Sequence, residues 1–234
     1  MNDGQWRCDW VNRKCEIAET LPSRVSDAGY GDSILILCAA LNAMAAEIWP
    51  GQRIDHVRFV EMLIRFSDVR PCVANISVPL LVQCLRAKRR FNQSTAVRRK
   101  FLTVDFSRIL SSDEVDKAED EIALACPSMK KIWLREFSYS SLLYQEVRSA
   151  YSHEYQPGLL ADSWPMTRNP SAGVSYVNRA TDQGPNRFIH FHVNWIAQVA
   201  RSISETLRGV SVPIPNPQVW WAQAPQGKVR LLKR

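Results

Sequence analysis

"RFIHFHVNWIAQVARSISETLR", residues 187–208, decides between an all-helical chain and a mixed one. Its length and later periodicity fit a long closing helix, whereas its opening, "RFIHFHV", alternates like a strand. We read the stretch as the last helix and leave its first boundary open. Just upstream, "GVSYVNRA" (173–180) fits a short strand, which is marginal without a partner. Residues 157–186 shift toward Pro, Gly, Ser and Asn and read as an irregular insertion.

Working outward, the earlier chain is dominated by helical signals. "SILILCAALNAMAAEIW" (33–49) is apolar on most faces, as a central bundle helix is, and Asp27 or Asp32 is placed to cap it. "DHVRFVEMLIRFSD" (55–68) starts at Asp55 and lines up Phe59, Met62, Leu63 and Phe66. "ISVPLLVQCLRAKRRF" has Ser77 as a cap and Pro79 in its first turn, and runs to about residue 89 before a basic linker. "SSDEVDKAEDEIALA" (111–125) carries its acid at the start, which suits the positive end of a helix dipole. Further helical pieces follow over 128–137 and about 139–155. Residues 1–26 show weak periodicity and read as an N-terminal arm. The expectation is one all-α domain over 1–234: arm, bundle over 27–156, insertion over 157–186, then last helix and basic tail over 187–234.

At 234 residues, 46% hydrophobic and 23% charged, the chain is long enough for a real core and too apolar for global disorder. The N-terminus has no apolar signal region, and the longest apolar run (34–46) falls short of the roughly 18 residues of a membrane span. A cytoplasmic protein with no membrane partner is expected. Six cysteines are scattered without a C-x-x-C pair, and reduced core thiols are the simplest reading; a metal site at Cys8 and Cys15 is the lesser alternative. The net charge of +7 is concentrated. Arg86, Lys88, Arg89, Arg90, Arg98, Arg99 and Lys100 form one cluster, and "GKVRLLKR" (227–234) another. Such clusters attract nucleic acid, although a solvated basic loop has the same composition.

Chemistry concentrates in "LLYQEVRSAYSHEYQPG" (142–158). At 100° per residue, Tyr144, Arg148, Tyr151 and Tyr155 share a stripe, while Glu146, Ser149 and His153 share another flank. Arg148 and His153 then lie roughly 140° apart, too far to address one atom from a straight helix. A distortion of the helix near its end at Pro157, or a two-fold dimer, would close that gap. In a dimer cleft, one neutral His153 can take the proton of a ribose 2′-hydroxyl while the protonated copy supplies one to the leaving oxygen. Arg148 can hold the scissile phosphate and the tyrosines can stack on bases. No metal or other cofactor is required. An ordinary solvated helix end also carries Arg, His and Glu.

"RSAYSHEY" (148–155), an Arg-x4-His-x-Tyr motif, resembles the HEPN superfamily, as in the HEPN toxins paired with minimal nucleotidyltransferase antitoxins. More diffusely, "GDSILILCAALNAMAAEIWPG" and "RFVEMLIRFSD" resemble the early helices of bacterial HEPN-like proteins. The resemblance implies an all-α bundle, usually dimeric, with metal-independent ribonuclease activity in host defence or toxin–antitoxin systems. It carries Arg148 and His153 over as catalytic candidates and Tyr155 as the tyrosine that an antitoxin modifies. Ser149 departs from the Asn, Asp or His that often follows the arginine in active members. The expected function is RNA endonuclease as a homodimer, with RNA and a regulatory or antitoxin protein as partners. The alternative is a non-catalytic HEPN-like module that binds nucleic acid or nucleotide in a defence complex.

Three further features have bland readings. His190 and His192 would share a face on a strand and diverge on a helix, and packing is favoured over a metal because no third ligand is near. Trp220 and Trp221 are expected to fold back on the bundle, and His56 to lie on the surface.

Overall fold

The computed structural model describes residues 3–25, 29–103, 108–163, 173–181 and 184–214. The basic tail at 227–234, Trp220, Trp221 and Asp27 lie outside these described residues. The chain is mostly helical, as expected, with a small three-stranded sheet, and the expected organisation needs correcting in two places.

The first correction is at the N-terminus. Residues expected to form an arm make helix α1 (Asp3–Arg24). Cys8, Val11, Cys15 and Ala18 are fully buried along it at helical spacing. Their stripe is narrow and built of small side chains, so the amphipathic signal is weak, but small side chains let helices approach closely. An added Cβ at Gly4 would sit 2.1 Å from the Arg208 carbonyl oxygen. Arg7, only 3% exposed, donates to both carboxylate oxygens of Glu47 (3.0 and 2.5 Å) and to the Leu207 carbonyl (3.0 Å). A buried guanidinium of this kind lowers apparent amphipathicity while cross-linking three segments. The Cys8 and Cys15 thiols donate to the carbonyls of Ser204 (3.2 Å) and Ala197 (3.5 Å), so both are packing groups here.

Helix α2 (Tyr30–Ile48) is the central helix, as its sequence suggests, burying Ile34, Leu37, Leu41, Met44 and Ile48 against α1 and α3 (Asp55–Phe66). By length and composition α2 could cross a membrane, although its apolar run alone is shorter; half of that window is buried within the fold. Five of the six cysteines are buried, Cys72 is half-buried, and all are free thiols.

The second correction concerns residues 184–208. They form strand β3 (Gly184–Phe191) and then a final helix (Val193–Thr206), not one continuous helix. The partner that "GVSYVNRA" needed is this same stretch: β2 (Val174–Thr181) pairs antiparallel with β3, with Val174 opposite Phe191 and Tyr176 opposite Ile189. The two-residue β1 (Leu110–Ser111) adds to the other edge of β2. Thus the insertion expected over 157–186 contains a regular strand. Gly173 makes the junction possible: its φ is +69°, and an added Cβ would lie 2.6 Å from Trp195 Cδ1.

Between α3 and the sheet run α4 (Val78–Ala87), α5 (Phe91–Phe101), and after β1 the short helices α6 (Ser112–Val115), α7 (Glu119–Ala125), α8 (Lys131–Glu136) and α9 (Tyr139–Leu142). Of these elements α4 and α9, together with β2, meet at Asp116. Its carboxylate accepts from the Val78 amide (2.9 Å) at the start of α4 and from the hydroxyls of Tyr139 and Tyr176. Ser77 precedes α4 as expected, yet its hydroxyl bonds the Tyr176 hydroxyl (2.9 Å), so the capping is done by Asp116 from a distant segment.

Burial pushes the Asp116 carboxyl up to about 7, against the pull of the two phenols and the amide. The folded protein therefore holds a proton that the unfolded chain releases near pH 4. Its stabilising effect is full below that pH and is lost as pH rises toward about 7. Denaturant midpoints should accordingly fall between about pH 4 and 7. Asp116→Ala should cost about 2–4 kcal/mol at pH 5, because three buried donors lose their acceptor. A midpoint that is flat with pH in the wild type would refute this account of Asp116.

Candidate functional site

After α9 the backbone does not continue as an ordinary helix. It widens into a π-helical segment over Leu143–Ser149 and returns to α10 (Ala150–Glu154). A distortion in this stretch was one of the two routes left open for Arg148 and His153. It falls on Arg148 itself rather than at Pro157. π-helical insertions are rare and recur at functional sites.

The tyrosine stripe runs antiparallel along α2. Tyr155 reaches Asp32, Tyr151 packs edge-on against Tyr30 (6.2 Å between centroids), and Arg148 Nη2 donates to Asn42 Oδ1 at 3.2 Å. Tyr151 is 4% exposed, and burial pushes its phenol up to about 12. Arg148 also lies 5.2 Å from the Tyr144 ring, on which His56 stacks at 4.5 Å. Arg148 is thus half-buried against α2, whereas His153 is exposed. One chain gives the two catalytic candidates different surroundings, and the imidazole in Arg148's neighbourhood is His56. His56 was expected on the surface; it is half-buried, and only the fold, by laying α3 beside Tyr144, connects it with Arg148.

The supporting residues divide by role. Glu146, 4% exposed, accepts from the Leu160 amide (3.0 Å), and its carbonyl accepts from Gly158 (2.7 Å), so it pins the segment after α10. Ser149 is half-buried. Tyr155 ends α10 in the left-handed region (φ 55°), and its hydroxyl donates to Asp32, which itself accepts from the Gly29 amide (2.8 Å) to start α2. Asp32 therefore caps as the sequence suggested, from within the first turn.

His190 and His192 do share a strand face, with ring centroids 5.0 Å apart. His190 Nδ1 lies 3.1 Å from the Asp162 carbonyl oxygen, and His192 Nε2 lies 2.9 Å from Ser175 Oγ. Burial pushes both imidazoles down, His192 to about 4, so each is neutral at pH 7. Ser175 and His192 have the contact of a nucleophile and its base, but at 1% and 5% exposure no substrate reaches them. Among the described residues no three potential ligands cluster to hold a metal.

The basic cluster is where the structure adds most. Residues expected to form a linker make a second helix, α5, joined to α4 by Lys88, Arg89 and Arg90. Arg86, Lys88, Arg89, Arg90, Arg98, Arg99 and Lys100 are all exposed. Ser94 and Val97 are the buried residues of α5, and Ser94 Oγ donates to the Val82 carbonyl at 3.2 Å. At the first turn of α5, Arg89, Arg90, Phe91, Asn92, Gln93 and Ser128 line an open cleft of about 420 Å³.

No protein-family model, curated protein or solved structure matches this chain. The HEPN resemblance therefore stands on the motif at 148–155 and the diffuse likeness of the early helices.

The Tyr155–Asp32 contact has a measurable signature. It raises the Tyr155 phenol above its ordinary value of 10 and lowers Asp32 below 3.8. In Asp32→Asn, the Tyr155 phenol should titrate at lower pH, read from ultraviolet phenolate absorbance with Tyr155→Phe as the reference. An unchanged titration curve would show that the two side chains do not meet in solution.

Proposed function

We propose that this chain binds nucleic acid through the corner between α4 and α5. One observation carries the reading: seven basic side chains within residues 86–100 are all exposed on two packed helices. On α7, which packs against α5, Glu119 accepts from Arg135 Nε at 2.7 Å and lies 3.8 Å from Lys131 Nζ, while Asp120 and Glu121 are exposed. A rigid basic surface that displaces condensed counterions binds phosphate backbones with steep salt dependence. Fluorescence anisotropy with short RNA and DNA oligonucleotides, titrated with salt, tests this. The double variant Arg86→Glu/Arg90→Glu should bind ~10-fold or more weakly, with a shallower salt slope. Equal binding by the variant would move the interface elsewhere.

A second reading, RNA cleavage, is favoured by the π-helical segment that includes Arg148 and by the exposure of His153. In this reading the protein is a HEPN-like, metal-independent endonuclease of a bacterial defence or toxin–antitoxin system. It acts in the cytoplasm as a homodimer under an antitoxin or regulatory protein. The two-fold axis supplies what one chain separates, a histidine of one copy near the arginine of the other. Structured RNA incubated in EDTA should be cut to 2′,3′-cyclic phosphate ends, with activity lost in Arg148→Ala and His153→Ala. Light scattering should report a dimer. Normal cutting by the alanine variants, or a monomer that cuts, would remove this assignment.

A further inference from the structure

The connection between α4 and α5 has two properties that a simple basic corner does not need. Arg89 sits in the left-handed region at φ 57°. Around it the Arg89 amide donates to the Arg86 carbonyl (3.0 Å) and the Arg90 amide to the Leu85 carbonyl (2.8 Å). This is the Schellman closure of a helix, and its left-handed position favours glycine because a Cβ there is strained. An arginine at such a position, where glycine would be unstrained, points to a use for its side chain. The closure turns the chain within three residues and packs α5 against α4, the connectivity of a helix–turn–helix.

The second property is the outward face of α5. With Ser94 and Val97 fixing the rotation of the helix, Asn92, Thr95, Ala96 and Arg99 lie at i, i+3, i+4 and i+7 on the opposite side, and all four are exposed. Arg98 and Lys100 fall about 100° to either side of Arg99. A helix whose task was packing would show a wide apolar stripe instead.

The geometry points to α5 as a recognition helix that enters the major groove of double-stranded DNA. This rests on the nucleic-acid-binding reading above and names its ligand. A helix of about 10–12 Å diameter fits the ≈12 Å major groove of B-form DNA, whereas the A-form groove of duplex RNA is too narrow for it. The small Ala96 at the centre of the face lets the backbone come close to the base edges. The Asn92 amide matches the donor–acceptor edge of adenine, the Arg99 fork matches guanine, and the Thr95 and Ala96 methyls suit the thymine methyl. Arg98 and Lys100 reach the phosphates on the two groove walls. The cleft at the first turn of α5 holds another phosphate against the α5 amides and the Arg89 and Arg90 side chains.

The test uses the full chain and a random-sequence duplex DNA library, with single-stranded DNA and duplex RNA as competitors. Duplex DNA should be bound in preference to both, and rounds of selection should enrich a short motif. Ala96→Glu, on the exposed centre of the face, should retain the melting temperature and lose ~10- to 100-fold in affinity for the enriched site. Asn92→Ala should relax one position of the motif. Arg89→Gly should melt no lower than wild type, because it relieves the left-handed residue, and should weaken binding to all duplexes alike. Preference for RNA or single strands, or duplex binding indifferent to Ala96→Glu, overturns the recognition helix while leaving nucleic-acid binding intact. Absence of binding to every probe at low salt overturns both.

Discussion

A single buried carboxylate joins the helical and stranded parts of this fold. Asp116 accepts from the start of α4, from α9 through Tyr139 and from β2 through Tyr176. The neighbouring segment is stitched by backbone bonds: Ile76 donates to Lys117 (2.9 Å), Ser77 to Phe137 (2.8 Å) and Tyr139 to Asn75 (3.0 Å). A buried carboxylate surrounded by donors can lie in only one arrangement, so α4 is held in one pose relative to the sheet. Whatever α5 does, it does from that platform, because α5 is attached to α4 through a three-residue closure.

The two regions of chemical interest are built by different means. The α4–α5 corner is local: its helices adjoin in sequence, and its charge is visible as a run of Lys and Arg. The Arg148 region is assembled from three separate segments, with Asn42 from α2, His56 from α3 and Tyr144 from the π-helical turn. A surface that binds by charge needs only exposure and rigidity. A site that moves protons needs atoms placed to within a few tenths of an ångström, and one chain leaves Arg148 half-buried against α2 and His153 in solvent.

Legibility in the sequence followed the width of the buried face. Helices α2, α3 and α4 have broad apolar stripes and were readable at nearly their true limits. Helix α1 hides its buried face behind Gly4, Arg7 and two cysteines, and "RFIHFHV" carries a strand pattern directly joined to a helical one. The stripe Tyr144–Arg148–Tyr151–Tyr155 was visible from spacing alone; its last three residues lie along α2 and Tyr144 lies against α3. Its partners were not visible, because Asp32, Tyr30 and Asn42 are more than a hundred residues away in sequence.

By itself the sequence determined the helical character of most of the chain, the central place of α2 and the exposed basic cluster. These follow from local periodicity and from the cost of burying charge, which act residue by residue. Tertiary structure alone decided that 184–191 is a strand, since an isolated strand gains little until 174–181 pairs with it. It also decided that α1 packs rather than dangles, that Asp116 caps a helix across 38 residues, and that Arg148 meets Asn42 and Tyr144 while His153 stays in solvent. Each depends on contacts between distant segments, whose energy no local pattern contains.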